Sequence, residues 1–348
     1  MGALIGLILH AIGGLAAGSF YIPFKLIKKW SWETSWLVLG FAAWIFSPII
    51  MAWLTVPNLG QVLTAADSKT KFYTFLFGML WGIGGLTFGL AMRYLGIGLG
   101  MAVALGFTAA FGTLIPPIYK GTFTDLLHSD GGLVVLSGVL LSLIGIAIAG
   151  KAGMLKEKDL DVSQQQETVA EFNLSKGLII ATISGILSAS FAFGLAAGKP
   201  IAAQALQLGV PHIFQNNAVL VWILWGGFLT NFIWTMTLSF KNKTFGDFTD
   251  KNIPTKPKNY LLAIAGGVTW YFQFFFYGMG TTFLGKKYEF ASWTLHMAFI
   301  IIFSTLWGLY FKEWKGVSKK TMKTLWLGLA VIIFSTILIG IGNNISDN

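Results

Sequence analysis

Three ionisable side chains stand inside, or at the edge of, long apolar runs: His10, Glu289 and His296. Ionisable groups are expensive in hydrocarbon, and those retained there default to a task such as carrying a proton. Imidazole titrates near neutral pH, and desolvation favours the neutral form of a carboxyl. All three can therefore take up and release a proton. Glu289 and His296 are two helical turns apart on one stripe, with Ser292 and Trp293 on or beside that face. Each has a plainer reading too. Glu289 can be an interfacial partner of Lys286 or Lys287, and either histidine can be a neutral imidazole donating to a backbone carbonyl. Glu289 is the preferred proton carrier, His296 the second choice and His10 the third.

A second constellation lies in TWYFQFFFYGMG at 269–280. Helical periodicity puts Trp270, Gln273 and Tyr277 on one face and spreads the other aromatics around the axis. An amide among rings can bind a ligand's hydroxyls, or simply bond a neighbouring helix. Asn216, Asn217 and Asn231 are polar positions in another apolar run, and Asn217 is taken as the contributor to a site. Lys25 and Glu33 flank the ends of the first two runs, where they can form a gate salt bridge or stay as separate interfacial charges. Lys28 and Lys199 read as helix-end anchors.

Some chemistry has no residues to perform it. There is no phosphate-binding loop ending in Lys-Ser or Lys-Thr, no metal-ligand spacing of His, Asp and Glu, and no nucleophile elbow. The chain has no cysteine, which removes disulfides and thiolate sites. No cofactor is implied.

The elements that position these residues are set by lipid. Hydrophobic residues make up 55% of the 348-residue chain and charged residues 11%, well below the roughly 25% charge of soluble domains. Apolar runs at 2–24, 35–55, 72–92, 96–118, 132–150, 177–198, 213–239, 259–283, 290–311 and 324–343 predict ten transmembrane helices. The runs are continuous rather than alternating, which excludes a barrel. The first run has no basic segment before it and reads as a span, not a cleaved signal peptide. The net charge of +10 reflects basic loops on one side of a membrane, not a nucleic-acid surface. Of the 24 Lys and Arg residues, 18 lie in loops after odd-numbered runs and 6 in the others. That split puts the odd loops in the cytoplasm and both termini outside it.

The polar stretch from Lys151 divides the runs into two groups of five, giving 1–150, a cytoplasmic linker at 151–175, and 176–348. The halves repeat weakly. Gly78, Trp81 and Gly89 recur in register as Gly267, Trp270 and Gly278; Phe111, Thr113 and Leu114 as Phe303, Thr305 and Leu306; Gly14, Ser19 and Phe20 as Gly185, Ser190 and Phe191. Five is odd, so the halves enter the membrane from opposite sides. The expected fold is all-α, with ten transmembrane helices in two inverted five-helix repeats and a site near the midplane. The pairs Gly14–Gly18, Gly78–Gly82, Gly85–Gly89 and Gly96–Gly100 are spaced for close helix contact.

KKWSWET at 28–34, MRYLG at 92–96, EFNLSKGL at 171–178, TWYFQFFFYGMG at 269–280 and SWTLHM at 292–297 resemble the L-rhamnose–proton symporter family of the drug/metabolite transporter superfamily. The likeness runs from His10 to Trp314. It implies a multi-pass protein of the bacterial inner membrane that imports L-rhamnose with a proton. A carboxylate at Glu289 fits the family pattern. A neutral deoxysugar needs hydrogen bonds for its hydroxyls and rings for its C–H faces. The resemblance therefore implies substrate contacts at Gln273, Trp270, Tyr277, Trp293 and Asn217, with coupling through Glu289, His296 or His10. A transporter of the same fold for another monosaccharide or small metabolite, working in import or export, is the alternative.

Overall fold

In the computed structural model, residues 2–159, 173–250, 253–284 and 289–345 are described. Among them nine helices are long and apolar enough to cross a membrane. They are α1 (Gly2–Lys25), α2 (Trp32–Thr55), α3 (Ser68–Met92), α5 (Asp130–Asp159), α6 (Leu174–Gln207), α7 (His212–Asn242), α8 (Lys256–Thr281), α9 (Ala291–Tyr310) and α10 (Lys319–Ile345). A shorter apolar helix, α4 (Val103–Tyr119), follows α3. No strand occurs among the described residues. The protein is an all-helical, multi-pass membrane protein.

The sequence forms helices because hydrocarbon offers backbone groups no partner outside their own segment. Hydroxyls inside the spans are satisfied the same way. Thr182 donates to the Leu178 carbonyl at 2.8 Å and Thr237 to that of Ile233 at 2.7 Å, one turn back. Helix starts carry caps. The Asp67 carboxylate accepts from the Thr70 amide at 2.9 Å, and the Asn173 side chain from the Lys176 amide at 3.0 Å.

Several boundaries differ from the apolar runs. Helical hydrogen bonding carries α5 to Asp159, into the expected linker; residues 160–172 of that linker lie outside the described residues. α6 continues past the run ending at 198 through Lys199–Gln207, about two and a half further turns with Pro200 in the first of them. α3 and α4 belong to one helical stretch, Ser68–Tyr119, yet Gly100 lies against the backbone of Ala91 and Met92. Residues eight apart on a straight helix would be about 12 Å apart, so the chain doubles back there. Both Gly84 and Ala104 accordingly meet the same turn of α6, at Ser184, Gly185 and Ser188.

Polarity is inverted relative to a water-soluble fold. Trp53, Leu140, Ile179 and Leu261 face outward, while His10, Ser184, Asn231, Gln273, Ser292, Thr294 and His296 are buried. Without a hydrophobic drive between helices in lipid, close backbone approach holds the bundle together. Gly14 of α1 abuts Phe299 of α9, and Gly185 of α6 abuts Phe107 of α4. Gly78 and Gly82 likewise meet α7. The expectation for Gly85 and Gly89 is corrected: nothing lies within 4 Å of where their side chains would begin, because that face of α3 turns outward. The side chains at 96–99 lie outside the described residues.

Candidate substrate and proton site

Helix α9 carries the centre of the site. Its first turns are buried on every side: Ser292, Trp293, Thr294, Leu295 and His296 are at most 3% exposed. Polar contacts replace lipid around it. The Trp293 indole donates to the Thr108 carbonyl at 2.9 Å, and Thr294 and Thr113 share a hydroxyl hydrogen bond of 2.6 Å. These bonds tie α9 to α4 and set the directions of Ser292 and His296 on its other faces.

His10 reaches the cluster from α1. Its Nε2 lies 2.7 Å from the Ser292 Oγ, and its ring centroid is 5.4 Å from Tyr277 and 6.3 Å from His296. Room for that ring exists because position 280 is glycine: a Cβ there would lie 2.9 Å from the His10 Nε2. Tyr277, from α8, stands 5.0 Å from the His296 ring and 5.5 Å from Trp293. The His10 Nδ1 and both ring nitrogens of His296 are buried without hydrogen-bond partners among the described residues. Neither histidine thus makes the backbone hydrogen bond of the plainer reading. A buried imidazole with no partner is costly and can accept or donate to a ligand that arrives.

Tyr277 and Trp293 also line a cavity of about 430 Å³ with Lys120, Lys199, Thr281 and Glu289. That volume suits a small organic ligand. At its mouth the Lys199 ammonium lies 2.6 Å from the Glu289 carboxylate, with both side chains partly exposed. Tyr277 lines the cavity, and its ring also packs against the His10 ring. Tyr277 thus joins the cavity to the two buried imidazoles.

The structure brings five of the expected residues together: His10, Tyr277, Glu289, Trp293 and His296. Gln273 is buried one turn before Tyr277 on α8. Trp270 is one turn further away, stacked on Phe20 at 4.4 Å and edge-on to Trp36 and Trp44. Asn217 does not reach the cavity. Its amide donates to the Thr55 hydroxyl at 2.7 Å, whereas Asn216 donates to the Gly278 carbonyl at 2.9 Å and to cavity-lining Thr281 at 3.0 Å. The two asparagines straddle the start of α7, and Asn216 has the α8 side. Lys286 and Lys287 lie outside the described residues.

Lys25 and Glu33 do not pair. α1 packs along α9, which carries the Lys25 ammonium to Glu313 at 2.9 Å. Glu33 is in the first turn of α2 and accepts from the Asn242 amide at 2.9 Å and the Thr244 hydroxyl at 3.1 Å. Beside it the Asp247 carboxylate accepts from the Ser31 amide and hydroxyl, both at 2.8 Å, and from the Thr34 hydroxyl at 2.9 Å. These contacts bind the loop after α7 to the start of α2, at the end of the bundle away from the cavity. Sequence reasoning missed Asp247, Glu313 and the role of Lys199, because each partner is far away in the chain. Ser292 was within reach, since it falls beside the Glu289–His296 stripe.

Comparison with known proteins agrees with this architecture. The profile of the L-rhamnose-proton symport protein (RhaT) family matches residues 2–345. An L-rhamnose-proton symporter of Pectobacterium atrosepticum is 40% identical over 341 residues, covering 97% of this chain and 98% of its own. Symporters of the same name from Escherichia coli O1:K1 and Shigella boydii serotype 18 are each 39% identical over 340 residues, covering 97% of both chains. A match of that extent, with no large unmatched segment on either side, places the whole chain in one family: it belongs to the L-rhamnose-proton symport proteins.

Proposed function

We propose that this protein imports L-rhamnose together with a proton across the bacterial inner membrane, by alternating access between two inverted halves of five transmembrane helices each. The observation that carries the reading is the buried cluster of His10, Tyr277, Ser292, Trp293 and His296 at the end of a cavity, in a chain whose relatives bear the name L-rhamnose-proton symporter. It joins a titratable group to a ligand-sized space, which is what coupled transport requires.

Contacts that match between the halves support the inverted repeat. Gly14 on Phe299 corresponds to Gly185 on Phe107, by the same offsets that relate the sequence repeats. Gly78 of α3 meets α7 at Ile223, while its counterpart Gly267 of α8 meets α2 at Leu39. The fold-back at Gly100 supports α3 and α4 as separate spans, ten in all. The halves are 1–150 and 176–348, joined by a cytoplasmic linker at 151–175, with both termini outside the cytoplasm.

The cavity then opens outward at Lys120, Lys199 and Glu289, and the Lys25–Glu313 and Asp247 contacts close the cytoplasmic end. Protonation of Glu289 neutralises its attraction for Lys199 and favours sugar entry. Gln273, Tyr277, Trp293 and Trp270 hold the sugar, with Asn216 taking the place first given to Asn217. His296 and His10 accept the proton onward or stabilise the bound hydroxyls. Release inside follows deprotonation toward the less acidic cytoplasm.

Adding L-rhamnose to de-energised cells expressing the protein tests the reading. The medium should become alkaline with L-rhamnose, and not with D-glucose. Uptake without any proton movement would assign a uniporter instead.

A further inference from the structure

Among the described residues Trp44 is one of the largest fully buried side chains, 1% exposed, and its indole N–H has no hydrogen-bond partner there. It sits in Phe41–Phe46, where α2 winds as a π-helix. Such one-turn widenings of an α-helix are frequent at functional sites, because they re-aim a side chain. Three rings flank it: Trp270 at 5.2 Å and 65°, Trp36 at 6.0 Å and 70°, and Trp81 at 6.1 Å and 88°. Trp81 and Trp270 are the tryptophans that the internal sequence repeat relates to each other. A residue touched by both members of a repeat pair stands where the two halves meet.

The same rings continue to the cavity. Trp293, which lines it, stacks with Phe191 at 5.7 Å and 20°. Phe191 stacks with Phe274 at 4.6 Å, and Phe274 meets Trp81 edge-on at 5.2 Å. An unbroken aromatic column thus leads from the outward cavity to Trp44 and on to Trp270 and Phe20. Aromatic faces suit the C–H face of a pyranose, but rings alone cannot orient its hydroxyls. The Trp44 N–H is a buried donor on that column with no partner of its own.

We propose that Trp44 is a substrate-contacting residue: its indole N–H donates to a hydroxyl of a neutral pyranose once the sugar has passed Trp293 and entered between the two halves. The inference rests on the transport reading above and adds an inner position to it, deeper than the cavity and reached when Trp81 and Trp270 part. The flanking side chains are aromatic, so the donor discriminates by hydroxyl position rather than by charge.

Trp44→Phe keeps a ring and removes the donor, while Trp44→Ala removes both. L-rhamnose uptake by wild type in proteoliposomes is the prior check on the transport reading; its absence would sink that reading and not address Trp44. With uptake present, Trp44→Phe should raise the KM for L-rhamnose roughly tenfold, the effect of one donor, with protein yield and thermal unfolding close to wild type. A series of monodeoxy-L-rhamnose analogues then serves as a double-mutant cycle. One analogue should bind wild type more weakly and lose nothing further in Trp44→Phe. An unchanged KM in Trp44→Phe, or an equal loss for every analogue, overturns the proposal. The second result would mark the residue as packing only.

Discussion

The Lys199 ammonium lies 2.6 Å from the Glu289 carboxylate, 90 residues apart in sequence and joined across the mouth of the cavity. A partly exposed ion pair contributes little to stability, about 0–1 kcal/mol. Its meaning is positional. It keeps a titratable carboxylate beside the route a ligand must take, and one proton is enough to dissolve it.

Lys199→Ala should therefore leave the folded protein within about 1 kcal/mol of wild type. It should still change the pH dependence of uptake, because Glu289 loses its counter-charge. Thermal unfolding in detergent and a pH profile of initial rates together check this. An unchanged profile would detach the pair from coupling.

Ser292 holds the His10 ring through a 2.7 Å hydrogen bond. Ser292→Ala leaves the His10 Nε2 buried without a partner, at a cost of about 1–3 kcal/mol. Gradient-driven uptake should fall sharply, and Ser292→Thr, which restores a hydroxyl, should recover most of it. Equal behaviour of the two variants in uptake would reduce Ser292 to packing.

Close helix contact gives a prediction with an internal control. Gly14→Val would drive its side chain into Phe299, and Gly185→Val into Phe107, each costing about 1–3 kcal/mol or more. Gly85→Ala meets open space and should be neutral, or stabilising by up to about 1 kcal/mol through helix propensity. Yield and unfolding temperature of the three variants decide the matter. Destabilisation by Gly85→Ala equal to that of Gly14→Val would contradict the packing described.

At the opposite end, Asp247 accepts three hydrogen bonds from Ser31 and Thr34. The chain has no native cysteine, so a single Ser35→Cys reports on this seal. Ser35 is 3% exposed. Adding Asp247→Ala should speed its labelling by a membrane-impermeant maleimide supplied on that side of the membrane, roughly tenfold for a loss of ~1.4 kcal/mol. Labelling at the wild-type rate would show that the seal rests elsewhere.

Periodicity and hydropathy made much of this legible. The apolar runs locate the helices because lipid leaves the backbone no alternative, and the histidines stand out because hydrocarbon tolerates so few of them. Seven-residue spacing predicts that Glu289 and His296 share one helical stripe, but α9 begins at Ala291 and Glu289 stands in the turn before it. Pairings between distant segments were not legible. Nothing in sequence distance distinguishes Lys199 from Lys286 as the partner of Glu289, or Glu313 from Glu33 as the partner of Lys25. Adjacent Asn216 and Asn217 differ only in the direction they leave α7, which is fixed by its contact with Gly278. The π-helical turn that re-aims Trp44 has no signature in FAAWIF at all.

The central claim is that proton and sugar movement are coupled through this site. Purified protein in liposomes, with the exterior made acidic relative to the lumen, should concentrate L-rhamnose above its external level. L-mannose, L-lyxose and D-glucose serve as comparisons for selectivity. Glu289→Gln should abolish that accumulation while retaining exchange of sugar across the membrane, and His296→Gln should weaken it. Wild-type accumulation by Glu289→Gln, or equilibration without accumulation by the wild type, would contradict the account.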